Sequence, residues 1–162
     1  MLTRTVSNYN EIYKSIAKNL DISNEQFEKA ISHYEAVADW LTRESSPLRL
    51  NDPDIYIQGS FSLGTVIKPL SGEDEFDIDL VCKLDLYKNS TTQEIVKNKV
   101  GNRLKSSSDY ERMLLDESEI CWTLEYQESP KFFLDILPAI NDETQWLHEL
   151  AVPHRLAQTA IC

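Results

Sequence analysis

The sequence lacks any long apolar run, and no stretch approaches the roughly 18 consecutive apolar residues that a membrane-spanning helix needs. Its first residues, MLTRTVSNYN, contain no apolar segment of the kind found in signal peptides. Cysteine is rare as well, and the spacing of Cys82, Cys121 and Cys162 matches neither a zinc site nor a disulfide framework. We therefore expect a cytoplasmic protein with reduced thiols and no membrane contact.

Basic residues are few relative to acidic ones. The chain has 16 lysines and arginines against 27 aspartates and glutamates, which gives a formal net charge of −11. A phosphate backbone would repel such a chain, and no run of basic residues, with or without interleaved aromatics, offers a local exception. Broad nucleic-acid binding is therefore disfavoured. Free nucleotides that carry their own divalent cations match this charge better.

The remaining composition is that of an ordinary folded domain. Hydrophobic residues make up 41% and charged residues 27% of the 162 residues. At this length folding buries about 70% of the surface that the unfolded chain exposes, which is enough for a real core. We find no repeat, low-complexity segment or linker, so we expect one domain over residues 1–162.

Helical spacing of apolar residues dominates the first part of the chain. It predicts one helix over Asn8–Leu20 and a second over Asn24–Glu44. Ser23 and Gln26 have the spacing of a capping box for the second helix. The stretch Ser45–Pro53 then breaks the pattern with Ser, Pro, Asn and Asp. Residues 1–46 are therefore predicted to form two N-terminal helices.

After this break the apolar period changes from 3.6 to 2. A short helical segment is predicted after Gly59, a helix over Thr91–Leu104, and a polar, partly helical tail from Asn141 onward. This order indicates an α/β or α+β fold with a small mixed sheet over residues 54–140. The alternation predicts four strands, Asp54–Gln58, Phe76–Leu84, Ile120–Tyr126 and Phe132–Leu137.

Two aspartates, Asp77 and Asp79, alternate with apolar residues in the predicted strand FDIDLVCKL. Residues two apart on a strand are roughly 6.6 Å apart along it and point to the same face. At an effective dielectric constant near 20, their charges would repel by about 2.5 kcal/mol. A solvated outer face is the ordinary explanation for such a pair, because water screens the repulsion.

A third aspartate, Asp135, favours a cation site over a solvated face. It lies in the apolar strand FFLDILPAI, where a lone charge is expensive unless it is paired or binds a cation. If this strand neighbours the one that carries Asp77 and Asp79, three carboxylates meet. Such a set suits Mg²⁺, which takes a few carboxylates plus substrate phosphates, and it can hold two cations for phosphoryl or nucleotidyl transfer.

The Gly59–Ser60 pair precedes these acids and ends the first strand. Its backbone N–H groups and the Ser60 hydroxyl could bind an anion where the short helical segment begins. A Gly-Ser pair alone is an ordinary turn, and it gains weight from the Asp-x-Asp strand that follows. Lys68 could contact phosphate or be a solvated lysine. Residues 73–75 form an acidic loop, read as a solvated turn or as outer contacts of the metal.

The runs QGSFSLGTVIKPL, DEFDIDLVCKL and FFLDILPAI together resemble a known enzyme family. They are similar to the nucleotidyltransferase core of the polymerase-β-like superfamily, and more narrowly to the CD-NTases of CBASS anti-phage defence, bacterial relatives of cyclic GMP-AMP synthase. The resemblance implies a small twisted mixed sheet with flanking helices. It also implies that Asp77, Asp79 and Asp135 are the catalytic, metal-binding carboxylates, and that Gly59 and Ser60 bind the donor triphosphate.

The activity that the resemblance implies is synthesis of a cyclic di- or trinucleotide messenger from nucleoside triphosphates, with release of pyrophosphate. Its implied cofactor is Mg²⁺, as two ions, with Mn²⁺ as an alternative. The implied substrates are ATP, with GTP or pyrimidine triphosphates as alternatives, and regulatory proteins are implied as partners.

Chain length is the main departure from this family, whose members carry an additional helical C-terminal half. Here the chain ends 27 residues after Asp135, so we expect the catalytic core without that half. Two alternatives stay open: an antitoxin-type nucleotidyltransferase that modifies a protein or RNA, and a nucleotide-binding fragment without turnover. The first is disfavoured because Asp77 follows Ser60 by 17 positions, a longer interval than those small enzymes have.

Overall fold

A mixed β-sheet organises residues 22–67, 75–128, 131–142 and 150–151, the parts of the chain that the computed structural model describes. The strands are β1 Asp54–Gln58, β2 Phe76–Leu84, β3 Trp122–Tyr126, β4 Phe132–Asn141 and β5 Leu150–Ala151. Their order in the sheet is β1-β2-β4-β3, and β5 pairs with β4. Strands β2 and β4 run parallel, whereas the other neighbouring strands are antiparallel.

Helices connect and cover these strands. They are α1 Asn24–Thr42, α2 Gly59–Leu63, α3 Gln93–Lys105 and α4 Ser108–Met113, with a 3₁₀ turn at Pro47–Asn51. The capping box predicted for α1 is confirmed, because Ser23 and Gln26 exchange side-chain and backbone hydrogen bonds of 3.2 and 2.8 Å. None of the helices in the described part of the chain combines the length and apolar character that crossing a bilayer requires.

The two faces of the sheet differ in polarity. In β2, Phe76, Ile78 and Leu80 are buried, while the intervening Asp77 and Asp79 are exposed. The apolar face packs against α1 and α3, whose inward residues join the same core. Burial of such side chains stabilises the fold by about 1.5–3 kcal/mol for each large aliphatic or aromatic residue. The opposite face is therefore available for polar chemistry.

Aromatic residues fix the layer of helices on the apolar face. The Trp40 ring of α1 lies 3.8 Å from the guanidinium carbon of the buried Arg103 of α3. Arg103 Nε and one terminal nitrogen donate to the Trp40 carbonyl, and Trp40 Nε1 donates to the Arg103 carbonyl. In turn, Trp122 Nε1 of β3 donates to the Lys97 carbonyl at 3.0 Å. These contacts tie α1 to α3 and α3 to the sheet.

The sequence-based assignments hold for β1 and β2, whose bounds agree with the structure, and for the short helix after Gly59. The predicted helix Thr91–Leu104 agrees with α3 to within two residues at each end. Other elements need correction. Helix α1 ends at Thr42, and helix α4 was not predicted. Strand β3 begins at Trp122, because the Ser118 hydroxyl accepts from the Cys121 N–H and donates to its carbonyl, which folds residues 118–121 into a turn.

Strand β4 continues past Leu137, where the prediction ended it, to Asn141. The pairs with β3 stop at Ile136 and those with β5 begin at Ile140. Pro138 lies between these two sets, so its missing N–H is tolerated. The strand β5 occupies part of the tail that was predicted to be polar and partly helical. The predicted helix Asn8–Leu20 and, apart from Asn141 and Asp142, the rest of the tail lie outside the described residues.

Candidate active site

Asp79 and Asp135 are register partners on the neighbouring parallel strands β2 and β4. Side chains of paired residues in adjacent strands point to the same face, so the two carboxylates share one face of the sheet. Asp77 lies two residues earlier on β2, on that same face and opposite Phe133 of β4. The condition stated in the sequence analysis, that the strand of Asp135 neighbours the strand of Asp77 and Asp79, is therefore met.

The electrostatics of these acids reflect their proximity. Although the side chains of Asp77 and Asp79 are exposed, the surrounding protein removes part of the water from their carboxyl groups. This desolvation, followed by the negative charge of Asp135, raises the pKa of Asp79 above its ordinary value. Desolvation also raises the pKa of Asp77, and the charges of Asp135, Asp79 and Glu75 add to this effect. Asp77 and Asp79 thus resist ionisation, first because the protein removes water from their carboxyl groups and then because of the neighbouring negative charges. A proton or a metal cation would relieve the repulsion.

The carboxylate oxygens of the three aspartates are suitable ligands for Mg²⁺, but these side chains alone do not form a complete coordination shell. Carboxylate oxygens are the ligands that hard divalent cations prefer. Among the described residues, however, no group of three or more His, Cys, Asp or Glu side chains is arranged so that it could hold a metal ion. An incomplete protein shell is compatible with Mg²⁺, which completes its coordination with substrate phosphates and water.

Thr123 of β3 is a polar contact of this site that the sequence analysis missed. It is the register partner of Asp135, and its Oγ1 donates a hydrogen bond of 2.6 Å to Asp135 Oδ1. The alternation in WTLEY, with Trp122, Leu124 and Tyr126 buried, assigns Thr123 to the polar face. That pattern could have indicated its face. It could not have indicated that Thr123 lies opposite Asp135.

Gly59 places the strand-to-helix turn directly against the acids. It follows Gln58, the register partner of Asp79, and begins α2 with φ +70°. A β-carbon at position 59 would lie 2.0 Å from Asp79 Oδ2 and 2.9 Å from its Cγ. Position 59 therefore requires glycine for two reasons: its φ is positive, and the Asp79 carboxylate leaves no room for a side chain. Ser60 follows in the first turn of α2 and is exposed.

Glu75 is one of the acids considered for outer contacts of a metal, and in the structure it forms an ion pair. Lys131 Nζ lies 3.0 Å from Glu75 Oε1 and also contacts Glu125. The same ammonium group lies 4.9 Å from the centre of the Phe133 ring. Lys131 therefore offsets part of the negative charge beside Asp77. Lys68 and residues 73 and 74 lie outside the described residues.

The mixed sheet with its acidic face is the fold of polymerase-β-like nucleotidyltransferases. The Vibrio cholerae DncV cyclic AMP-GMP synthase, solved with the linear intermediate pppA(3′,5′)pG, has this fold with a TM-score of 0.61 and 13% identity, over 91% of this chain and 54% of that chain. The Bradyrhizobium diazoefficiens CD-NTase CdnG, solved in complex with GTP, matches with a TM-score of 0.68 and 25% identity, over 88% of this chain and 40% of that chain.

Family membership is defined over nearly the whole chain. Residues 7–159 match the SMODS family, the Second Messenger Oligonucleotide or Dinucleotide Synthetase domain, and the chain belongs to that family. The c-di-GMP synthase of Roseivirga ehrenbergii is 30% identical over 123 residues, which are 76% of this chain and 32% of that protein. The resemblance to CD-NTases is thereby confirmed. The chain spans about a third of the length of that relative.

Proposed function

We propose that this chain is the catalytic core of a metal-dependent nucleotidyltransferase that joins nucleoside triphosphates into a cyclic di- or trinucleotide. The observation that carries the proposal is the register pair Asp79–Asp135, with Asp77 on the same face and Gly59 in contact with Asp79. Membership of the SMODS family supports it. By its resemblance to CD-NTases, the messenger would act in anti-phage defence in the cytoplasm.

Asp77, Asp79 and Asp135 are assigned as the ligands of the divalent cations, two Mg²⁺ ions or Mn²⁺ in their place. When bound, such cations activate the attacking hydroxyl and neutralise charge on the phosphates. The raised pKa values of Asp77 and Asp79 support this assignment, because desolvation and then the neighbouring negative charges destabilise the ionised carboxylates, and a bound cation would offset both effects. Mg²⁺ binding would therefore compete with protons at these two carboxyl groups.

Gly59 and Ser60 are assigned to the donor triphosphate. The contact between Gly59 and Asp79 supports the assignment, since it puts main-chain groups of the turn beside the proposed cation ligands. Gln58, at the N-cap of α2, forms no side-chain hydrogen bond to the helix amides. Main-chain amides and the Ser60 hydroxyl would then donate to phosphate oxygens, as donors at a helix N-terminus do.

The proposed reaction transfers a nucleotidyl group twice for a cyclic dinucleotide and three times for a cyclic trinucleotide. In each transfer a ribose hydroxyl of one nucleotide loses its proton to water and forms a bond to the α-phosphorus of another, the bond from that phosphorus to the β-phosphate oxygen breaks, and pyrophosphate leaves with the electron pair. The last transfer takes place within the linear product, closes the ring and releases the final pyrophosphate. GTP is a substrate to test first, because CdnG was solved with GTP and the Roseivirga relative is a c-di-GMP synthase. ATP is tested beside it, because the Vibrio cholerae cyclic AMP-GMP synthase was solved with pppA(3′,5′)pG.

The assay that tests the proposal incubates the chain with labelled ATP and GTP in the presence of Mg²⁺ or Mn²⁺. The D77A/D79A double variant removes two proposed ligands. The D109A/E111A variant removes the same charge from two exposed acids of α4 and is the matched control. We expect a phosphatase-resistant product from the wild type and the control, and none from D77A/D79A.

Equal product profiles from the wild type and D77A/D79A would refute the assigned catalytic residues. If neither forms product while both bind nucleotide equally, this chain is a nucleotide-binding module without turnover.

A further inference from the structure

The Thr123 side chain connects the neighbouring strand β3 to the proposed metal-binding face. Its hydroxyl donates to Asp135 Oδ1 at 2.6 Å, a distance typical of hydrogen bonds to an ionised acceptor. A carboxylate has about four lone-pair sites on its two oxygens, so this bond leaves acceptor sites for a cation. It does, however, restrict the rotation of the Asp135 side chain.

The backbone of Thr123 is held from two sides. Its register with Asp135 fixes it against β4, and on its other edge the Leu115 N–H donates to the Thr123 carbonyl at 3.0 Å. The preceding turn is also braced, since the Ser118 hydroxyl bonds to both the N–H and the carbonyl of Cys121. A β-branched side chain has few χ1 choices. The direction of the Thr123 hydroxyl is therefore set by the sheet.

We infer that Thr123 is a positioning residue that holds Asp135 in the orientation needed to bind the divalent cation. The inference rests on the proposed function, because it assumes that Asp135 is a metal ligand. Hydrogen bonds from outer residues to metal-binding carboxylates commonly change metal affinity by about 10- to 100-fold. Asp77 and Asp79 lie on β2, away from this strand, so Thr123 acts on the third ligand alone.

The test measures Mn²⁺ affinity from the depletion of the free-ion signal in electron paramagnetic resonance, using the whole chain without nucleotide. T123V keeps the shape and strand propensity of threonine and removes the donor, and T123S keeps the hydroxyl. T42V is the matched control, because the half-buried Thr42 hydroxyl donates to the Ala38 carbonyl in α1, far from the acids. Thermal melts check that each variant folds, and T123A replaces T123V if T123V does not.

We expect T123V to bind Mn²⁺ about tenfold more weakly than the wild type, with T123S and T42V close to the wild type. If T123V binds as tightly as the wild type while D135N loses binding, Thr123 has only a structural role and the inference is wrong. If D135N binds as tightly as the wild type, Asp135 is not a ligand. In that case the metal site of the proposed function fails together with the inference.

Discussion

Gly59 and Asp79 are in direct contact: a β-carbon at position 59 would lie 2.0 Å from Asp79 Oδ2. The turn that ends β1 thus packs directly against the Asp79 carboxylate of the neighbouring strand β2. Any side chain at position 59 would displace the carboxylate or move the turn. This relationship links the proposed triphosphate contact to the proposed cation ligand.

The G59A variant should therefore lose both stability and cation binding. The positive φ costs an L-residue about 1–2 kcal/mol, and overpacking against Asp79 adds about 1–3 kcal/mol. G64A is the control, because Gly64 has φ +64° but open space around its α-carbon. Urea unfolding should show a larger loss for G59A than for G64A. If G59A and G64A lose the same free energy of unfolding, overpacking against Asp79 does not contribute to the loss in G59A.

The D77N variant should be more stable than the wild type at neutral pH. The folded protein raises the pKa of Asp77 above 3.8, so it binds more protons than the unfolded chain in the interval between the two pKa values. Stability therefore falls as pH rises through that interval, and the loss persists at pH 7. Removing the charge removes this loss.

Thermal melts at pH 7 and pH 4 measure the effect of D77N. The gain should be present at pH 7 and shrink toward pH 4, as the wild-type carboxyl takes up its proton. E28Q, at an exposed acid of α1, controls for the change in net charge. The electrostatic account fails if D77N and E28Q shift the melting temperature equally at both pH values.

Divalent cations should raise the melting temperature of the wild type. A ligand that binds only the folded state stabilises it by mass action. Because protons compete for carboxyl groups whose pKa values are raised, the Mg²⁺-dependent shift should be larger at pH 8 than at pH 5. D77A/D79A should show a much smaller shift, and D109A/E111A a shift equal to that of the wild type. Similar shifts in all three proteins would place the cations elsewhere.

The packing of α3 on the sheet gives a prediction that is independent of the site. A β-carbon at Gly101 would lie 2.2 Å from Cζ2 of the buried Trp122. We expect G101A to lower the free energy of unfolding by about 1–3 kcal/mol through overpacking, even though alanine favours helix. The neighbouring N102A, at an exposed position of α3, should be neutral or slightly stabilising in the same urea titrations. A stable G101A would show that Trp122 can move aside.

Local patterns predicted the strand of Asp77 and Asp79 because its alternation of apolar and acidic residues is strict. They also identified Asp135 as unusual, because a charge in an apolar strand requires a partner. Which strands are neighbours, and in which register, depends on contacts between distant segments. Thr123 was therefore missed, since nothing near it in the sequence indicates that it faces Asp135. The same holds for the contact of Gly59 with Asp79.

The ends of the helices and strands were harder to predict, because individual residues and hydrogen bonds determine them. The Ser118 turn delays the start of β3, and Pro138 is tolerated in β4 because neither β3 nor β5 pairs with it there. Helix α4 is short, has no fully buried residue and lacks a long apolar period. Its cap is local, since the Ser107 hydroxyl accepts from the Tyr110 N–H. Such features depend on single hydrogen bonds more than on periodicity.

The most direct test of the central claim is a crystal structure with Mn²⁺ and a non-hydrolysable nucleoside triphosphate, with the metal located by its anomalous signal. We expect an anomalous peak within coordination distance of carboxylate oxygens from Asp79 and from Asp135 or Asp77, with the triphosphate against Gly59 and Ser60. An anomalous peak bound by other residues, or a triphosphate away from the Gly59–Ser60 turn, would contradict it.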